Sequence, residues 1–130
     1  MTLSPTVLVV EDEAILRDLV VEALAEHGFP VLQAATSDAA LALIAGPQSI
    51  DLLFTDIRLP GTLDGWTLAE RYREAHPRGG VVYATGYSPA APRQVRGGLF
   101  FAKPYRVADV IKALTELAAA GARGGPEAPG

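Results

Sequence analysis

The chain has 130 residues, enough for one core of ordinary size and too few for two, since domains cluster at roughly 100 to 150 residues. Hydrophobic residues make up 49% and charged residues 20%, a balance that points to neither wholesale disorder nor a membrane protein. The net charge of -4 offers nucleic acid no overall attraction, and the absence of Cys excludes disulfides and thiolate metal sites.

In chain order, the first apolar run is TVLVV (6–10), followed at once by acids. It is too short for a signal peptide or a spanning helix, so a cytoplasmic protein with no membrane partner is expected. Ile15, Leu16, Leu19, Val20, Ala23 and Leu24 then recur at helical spacing, and Gly28 supplies a stop. After VLQAA (31–35), Ser37 is placed to cap a second helix that runs through Ala45 and ends at Gly46-Pro47. DLLFT (51–55) reads as a buried strand, and a third helix opens at Asp64 or Gly65 and ends near Pro77. His27 and His76 are lone residues in helical surroundings and read as surface or helix-end side chains. GVVYAT (80–85) and LFFA (99–102) are the last strands; between them Pro89 and Pro92 leave room only for a short or irregular fourth helix. A final helix is expected from about Arg106 to Ala120, with Val107, Val110, Ile111, Leu114 and Leu117 facing inward. The domain is thus expected over 1–120, with 121–130 a flexible Gly/Pro-rich tail. Short branched runs alternating with helices describe an α/β protein with a parallel sheet covered on both faces.

In such a sheet, ligands bind beyond the carboxyl ends of the strands. The residues there are Glu11, Asp12 and Glu13 after the first strand, Asp56 after the third, Thr85 ending the fourth and Lys103 after the fifth. Carboxylates gathered at a half-buried rim repel one another and call for a cation. Mg²⁺ suits them, because it prefers oxygen ligands and is commonly held by one or two carboxylates together with a phosphate oxygen. Asp12 and Asp56 would ligate it, with Glu11 acting through water. Lys103 and Thr85 can neutralise and orient phosphoryl oxygens. The set reads as phosphoryl transfer, and Asp56, alone after the central strand, is the natural nucleophile for an acyl phosphate. Each residue singly has a plainer reading: Asp56 as a turn residue, Thr85 as a strand former, Lys103 as a solvated charge, Glu13 as a first-turn acid favoured by the helix dipole. Their combination carries the argument.

With those residues in place, the chain resembles the receiver domains of two-component response regulators over about residues 4–120. The resemblance rests on VLVVEDE (7–13), LLFTDIRLPGTLDGW (52–66), YATGY (83–87) and Lys103-Pro104-Tyr105. It implies a flavodoxin-like, doubly wound, five-stranded parallel sheet of order 2-1-3-4-5. It also implies Asp56 as phospho-acceptor, and Mg²⁺ held by Glu11, Asp12, Asp56 and the backbone carbonyl of Arg58. Thr85 and Lys103 would contact the phosphoryl group, Lys103-Pro104 would be a cis peptide, and Thr85 and Phe100 would form the switch pair. The implied partners are a sensor histidine kinase or a His-containing phosphotransfer protein, and a downstream target protein. No enzymatic role is implied beyond the domain's own phosphoryl transfer and autodephosphorylation. The YATGY run is similar to atypical receivers with a Phe-Ala-Thr-Gly motif, often paired with HWE-type kinases, in which the aromatic switch can be altered or absent.

Besides the YATGY run, two departures from the family pattern stand out. The loop after Asp56 has one residue more than the common form between Pro60 and Asp64-Gly65, and the stretch from Thr85 to Lys103 is short. Arg58, Gly86 and Tyr87 would flank the phosphoryl group, with Arg58 and Tyr87 expected to screen it from water. A phosphatase of the haloacid-dehalogenase type needs an acid where Arg58 stands, and a P-loop needs Gly, Lys and Ser/Thr where the acids stand. A flavin carrier would need a hydroxyl-rich loop at that same place. The remaining alternative is a pseudo-receiver that works by phosphorylation-independent contact, and the intact acid, Thr and Lys set argues against it. Beyond residue 120 there is neither length nor periodicity for a helix-turn-helix. A stand-alone receiver acting by protein contact is therefore expected, although a piece of a hybrid kinase would carry the same residues.

Overall fold

The computed structural model describes residues 5–86 and 93–124. Five strands, β1 (Val7–Val10), β2 (Val31–Ala34), β3 (Leu52–Asp56), β4 (Gly80–Thr85) and β5 (Leu99–Ala102), form one parallel sheet in the order β2-β1-β3-β4-β5. Four helices accompany them: α1 (Ala14–Glu26), α2 (Ser37–Ile44), α3 (Gly65–Ala75) and α4 (Val107–Gly124). This is the flavodoxin-like order expected from the sequence.

Alternate residues of the near-continuous apolar strands feed two cores. Leu8, Val10, Leu53, Val81 and Tyr83 pack with Ala40 and Ile44 of α2 and with Trp66, Leu68, Ala69 and Tyr72 of α3. Val7, Val9, Leu52, Phe54, Val82 and Ala84 pack with Val20 and Leu24 of α1 and with Val110, Ile111, Ala113 and Leu114 of α4. Strands buried on both faces cannot alternate apolar and polar residues, which explains their composition.

The structure corrects several local expectations. The α2 N-cap is Thr36, whose side chain accepts from the Ala39 N–H at 3.1 Å. Ser37 is fully buried and its hydroxyl accepts instead from the Leu63 N–H at 3.0 Å, holding the loop that follows β3. Helix α4 runs to Gly124, four residues past the expected boundary of the tail. On α1 only Val20 and Leu24 are buried, while Ile15 is 81% and Leu19 52% exposed. Residues 87–92, where the short fourth helix was expected to begin, lie outside the described residues. From 93 to 98 the chain makes a turn closed by the Gly98 N–H on the Val95 carbonyl at 2.9 Å, with no helix.

Candidate functional site

Parallel pairing places the carboxyl ends of β1, β3, β4 and β5 at one edge of the sheet. Val10 lies beside Thr55, Asp56 beside Ala84, and Thr85 beside Ala102. The next residues after β1 and β5 are Glu11 and Lys103, so side chains 92 positions apart meet. The Lys103 N–H donates to the Thr85 carbonyl at 2.8 Å, and the Lys103-Pro104 peptide is cis. Helix α3 starts tightly under β3: the Gly65 N–H donates to the Ile57 carbonyl at 2.7 Å, and a Cβ on Gly65 would collide with the Asp56 backbone.

The Lys103 ammonium is the hub. It donates to Asp56 Oδ2 at 2.7 Å and to Glu11 Oε1 at 3.1 Å, and it lies 3.5 Å from Glu13 Oε1. Burial favours loss of its proton, but the hydrogen bonds and charges of Asp56 and Glu11 prevail and hold it protonated well above the usual lysine range. Asp56 Oδ1 accepts from the Ile57 N–H at 2.7 Å and, more weakly, from the Arg58 N–H at 3.4 Å. Glu11 is only 2% exposed; its Oε2 accepts from the Glu13 N–H at 3.0 Å. Burial raises the Glu11 carboxyl above the ordinary carboxylate range, against the lowering effect of that N–H and of Lys103.

Glu11, Asp12 and Asp56 each offer an oxygen within 4.8 Å of the others, Asp12 from the exposed side. Three carboxylates and no nitrogen or sulfur donor suit a hard divalent cation. Glu11 was expected to act through water; its oxygens accept from the Glu13 N–H and from Lys103, and Asp12 is the exposed acid of the three. Beyond them a groove of about 640 Å³ is lined by Asp12, Arg58, Pro60, Thr62 and Trp66.

Thr85 is buried at the end of β4, and Arg58 is exposed at the rim. Phe100 is half-buried and stacks on Trp66, with ring centroids 6.1 Å apart and planes 18° apart; Tyr83 packs against the same indole at 4.8 Å. Gly86 is exposed, and Tyr87, expected beside the phosphoryl group, lies outside the described residues. Sequence reasoning missed Arg17, which donates to the Glu11 carbonyl at 2.8 Å and to Gln33 at 3.2 Å. A cation one turn after Glu13 on this helix was the available signal. It also missed Glu13 as a partner of Lys103, and Tyr105, whose ring packs edge-on to Phe54 while its buried hydroxyl meets no hydrogen-bond partner among the described residues.

The family described as response regulator receiver domain matches residues 7–115. The chain is 36% identical over 99 residues to transcriptional regulatory protein AruR of Pseudomonas aeruginosa, covering 73% of this chain and 40% of that protein. It is 31% identical over 120 residues to sensor kinase CckA of Brucella abortus, covering 88% of this chain and 12% of that protein. It thus spans less than half the length of either relative. The crystal structure of a response regulator receiver protein from Sinorhizobium medicae superposes with a TM-score of 0.85 at 31% identity, covering 91% of this chain and 97% of that one. The acid pair, the aspartate ending β3, the buried threonine and the lysine before a cis proline thus stand in a matching fold and sequence, and the chain belongs to the response regulator receiver domain family.

Proposed function

We propose that this domain accepts a phosphoryl group on Asp56, with Mg²⁺ held by Asp12 and Asp56, backed by Glu11 and completed by the backbone carbonyl of Arg58. The observation that carries the reading is the Lys103–Asp56 contact of 2.7 Å beside three carboxylates whose oxygens converge within 4.8 Å. An ammonium already aligned on the nucleophile can hold a phosphoryl oxygen with little rearrangement. Mg²⁺, when bound, offsets the charge of the acids and of the phosphoryl oxygens. Lys103 and the Thr85 hydroxyl orient those oxygens. The Ile57 and Arg58 N–H groups fix the rotation of the Asp56 carboxylate. A carboxylate oxygen of Asp56 replaces the donor's nitrogen on phosphorus, and that nitrogen leaves with a proton from solvent.

The donor in this reading is a sensor histidine kinase or a His-containing phosphotransfer protein. A kinase among the relatives supports it, as do the exposed apolar side chains of Ile15 and Leu19 on the helix that begins two residues after Asp12. The Tyr83-Ala84-Thr85-Gly86 run further supports a place among the Phe-Ala-Thr-Gly receivers, with an HWE-type kinase as donor. Output is by contact of the phosphorylated surface with a target protein. Intact mass after incubation with Mg²⁺ and acetyl phosphate tests the reading. Wild type should gain one phosphoryl group and Asp56→Asn none; wild type unmodified by both acetyl phosphate and a phosphorylated kinase would overturn it.

A further inference from the structure

We infer that Glu13 sets the phosphodonor selectivity of this pocket: its carboxylate engages Lys103 and keeps the pocket mouth negative, disfavouring small dianionic donors relative to less charged ones. The inference rests on Asp56 being the phospho-acceptor.

Glu13 occupies the N-cap position of α1, where the short side chains of Asp, Asn, Ser or Thr ordinarily accept one of the helix's free N–H groups. Its side chain makes no capping bond. It turns to Lys103 instead, with Oε1 3.5 Å from the ammonium. Lys103 therefore faces three carboxylates, Asp56 and Glu11 within and Glu13 without. Glu13 also differs from the acids that converge for a metal. It is not one of the three whose oxygens lie within 4.8 Å of one another, and its side chain is 66% exposed where that of Glu11 is 2% exposed. Its charge is thus one that a divalent cation in the acid group does not need.

Four acids, Glu11, Asp12, Glu13 and Asp56, gather about Lys103, so these groups together with a divalent cation still sum to one negative charge, with the Arg58 side chain exposed at the rim beside them. An incoming donor feels the Glu13 charge once for each negative charge that it carries. One extra donor charge at roughly 7 Å in a water-like dielectric corresponds to about a threefold difference in rate. Because Glu13 stands in solvent, salt should screen the effect.

The experiment compares initial rates of Asp56 phosphorylation by acetyl phosphate, a dianion near neutral pH, and by phosphoramidate, which carries one negative charge fewer. Wild type, Glu13→Gln and Glu13→Asp are measured at saturating Mg²⁺, with saturation read from Trp66 fluorescence. Glu13→Gln should raise the acetyl phosphate rate about threefold more than the phosphoramidate rate at low salt. The difference should shrink in concentrated salt, and Glu13→Asp should keep the wild-type ratio. Equal changes for both donors, a ratio insensitive to salt, or the same ratio in Glu13→Asp as in Glu13→Gln would overturn the role of charge. Wild type labelled by neither donor nor a kinase would instead overturn the phospho-acceptor reading, and this inference with it.

Discussion

At the scale of single residues, the site is a balance between one buried cation and acids that would otherwise repel. Glu11 and Asp56 are both buried, so Lys103→Ala should cost the metal-free protein about 3 to 5 kcal/mol, the range for breaking a buried ion pair by removing one partner. Urea unfolding measures it, and a cost below 1 kcal/mol, about that of a surface pair, would mean that the acids find other relief. The same titrations test the ion. At a Mg²⁺ concentration one hundred times its dissociation constant, wild type should gain about 2.7 kcal/mol. Asp12→Asn should gain much less at that concentration while losing nothing without metal, because it removes an exposed acid from a crowded group. A tyrosine sets an alkaline limit. Burial, with Asp51 nearby, raises the Tyr72 hydroxyl above the usual tyrosine range, and that hydroxyl donates to the Ile50 carbonyl at 2.8 Å. The unfolded chain releases this proton near pH 10 and the folded one only higher. Stability should therefore hold below about pH 10 and fall above it. A fall in stability above about pH 10 that is as steep in Tyr72→Phe as in wild type would contradict this.

Among the elements, the loop after β3 and the crossover before β5 show where local sequence stops deciding. Thr36, Ser37 and Asp38 are all capping residue types, and the sequence reading places the cap of α2 at Ser37. The choice falls on Thr36 because the other two are needed by the loop: Ser37 by the Leu63 N–H, and Asp38 by the Thr62 hydroxyl at 2.6 Å. Gly61, at a φ of 114°, passes so close to the Ser37 hydroxyl that a side chain there would be strained as well as crowded. The extra loop residue is thus accommodated by the start of α2. Thr36→Ala should cost about 1 kcal/mol as a lost cap. Ser37→Ala should cost a comparable 1 to 2 kcal/mol by leaving a Leu63 N–H unmet, and should alone speed amide exchange at Leu63. Exchange rates that rise equally in both variants would show that the loop follows the helix cap and not the serine. On the other side, the Tyr83 hydroxyl accepts from the Val95 N–H at 2.9 Å, and Arg93 reaches Glu70 at 2.9 Å on α3. Both contacts draw the crossover onto the face that Trp66 and Phe100 share.

At the scale of the whole molecule, the pocket opens at one edge of the sheet beside α1, a helix with an unevenly buried apolar surface. Its apolar residues predict an inward face, yet Ile15 and Leu19 point outward while Val20 and Leu24 fill the core. On the proposed reading, a partner that delivers a phosphoryl group to Asp56 must cover this edge, and apolar side chains already in water favour that contact. Ile15→Ser with Leu19→Ser should leave unfolding and the acetyl phosphate rate nearly unchanged, and should slow transfer from a kinase at least tenfold. Equal slowing with both donors would place the defect in the pocket and not on the docking face.

Continuous apolar runs with helices between them already specify a doubly covered parallel sheet, because only strands buried on both faces lack polar alternation. Parallel strands put all their carboxyl ends at one edge, so Glu11, Asp12, Asp56, Thr85 and Lys103, at or just past the ends of the runs, were legible from the sequence as neighbours there. The division of labour inside that site was not. Glu11 and Asp12 are adjacent acids that no local rule separates; burial of one and exposure of the other follows from the pairing of β1 with both neighbours and from Lys103, 92 residues away. The turn of Glu13 away from its own helix, the grip of Arg17 on the Glu11 carbonyl and the exposure of Ile15 have the same origin. Periodicity records which side of an element is apolar, whereas the partner that each side chain meets is set by elements distant in the chain.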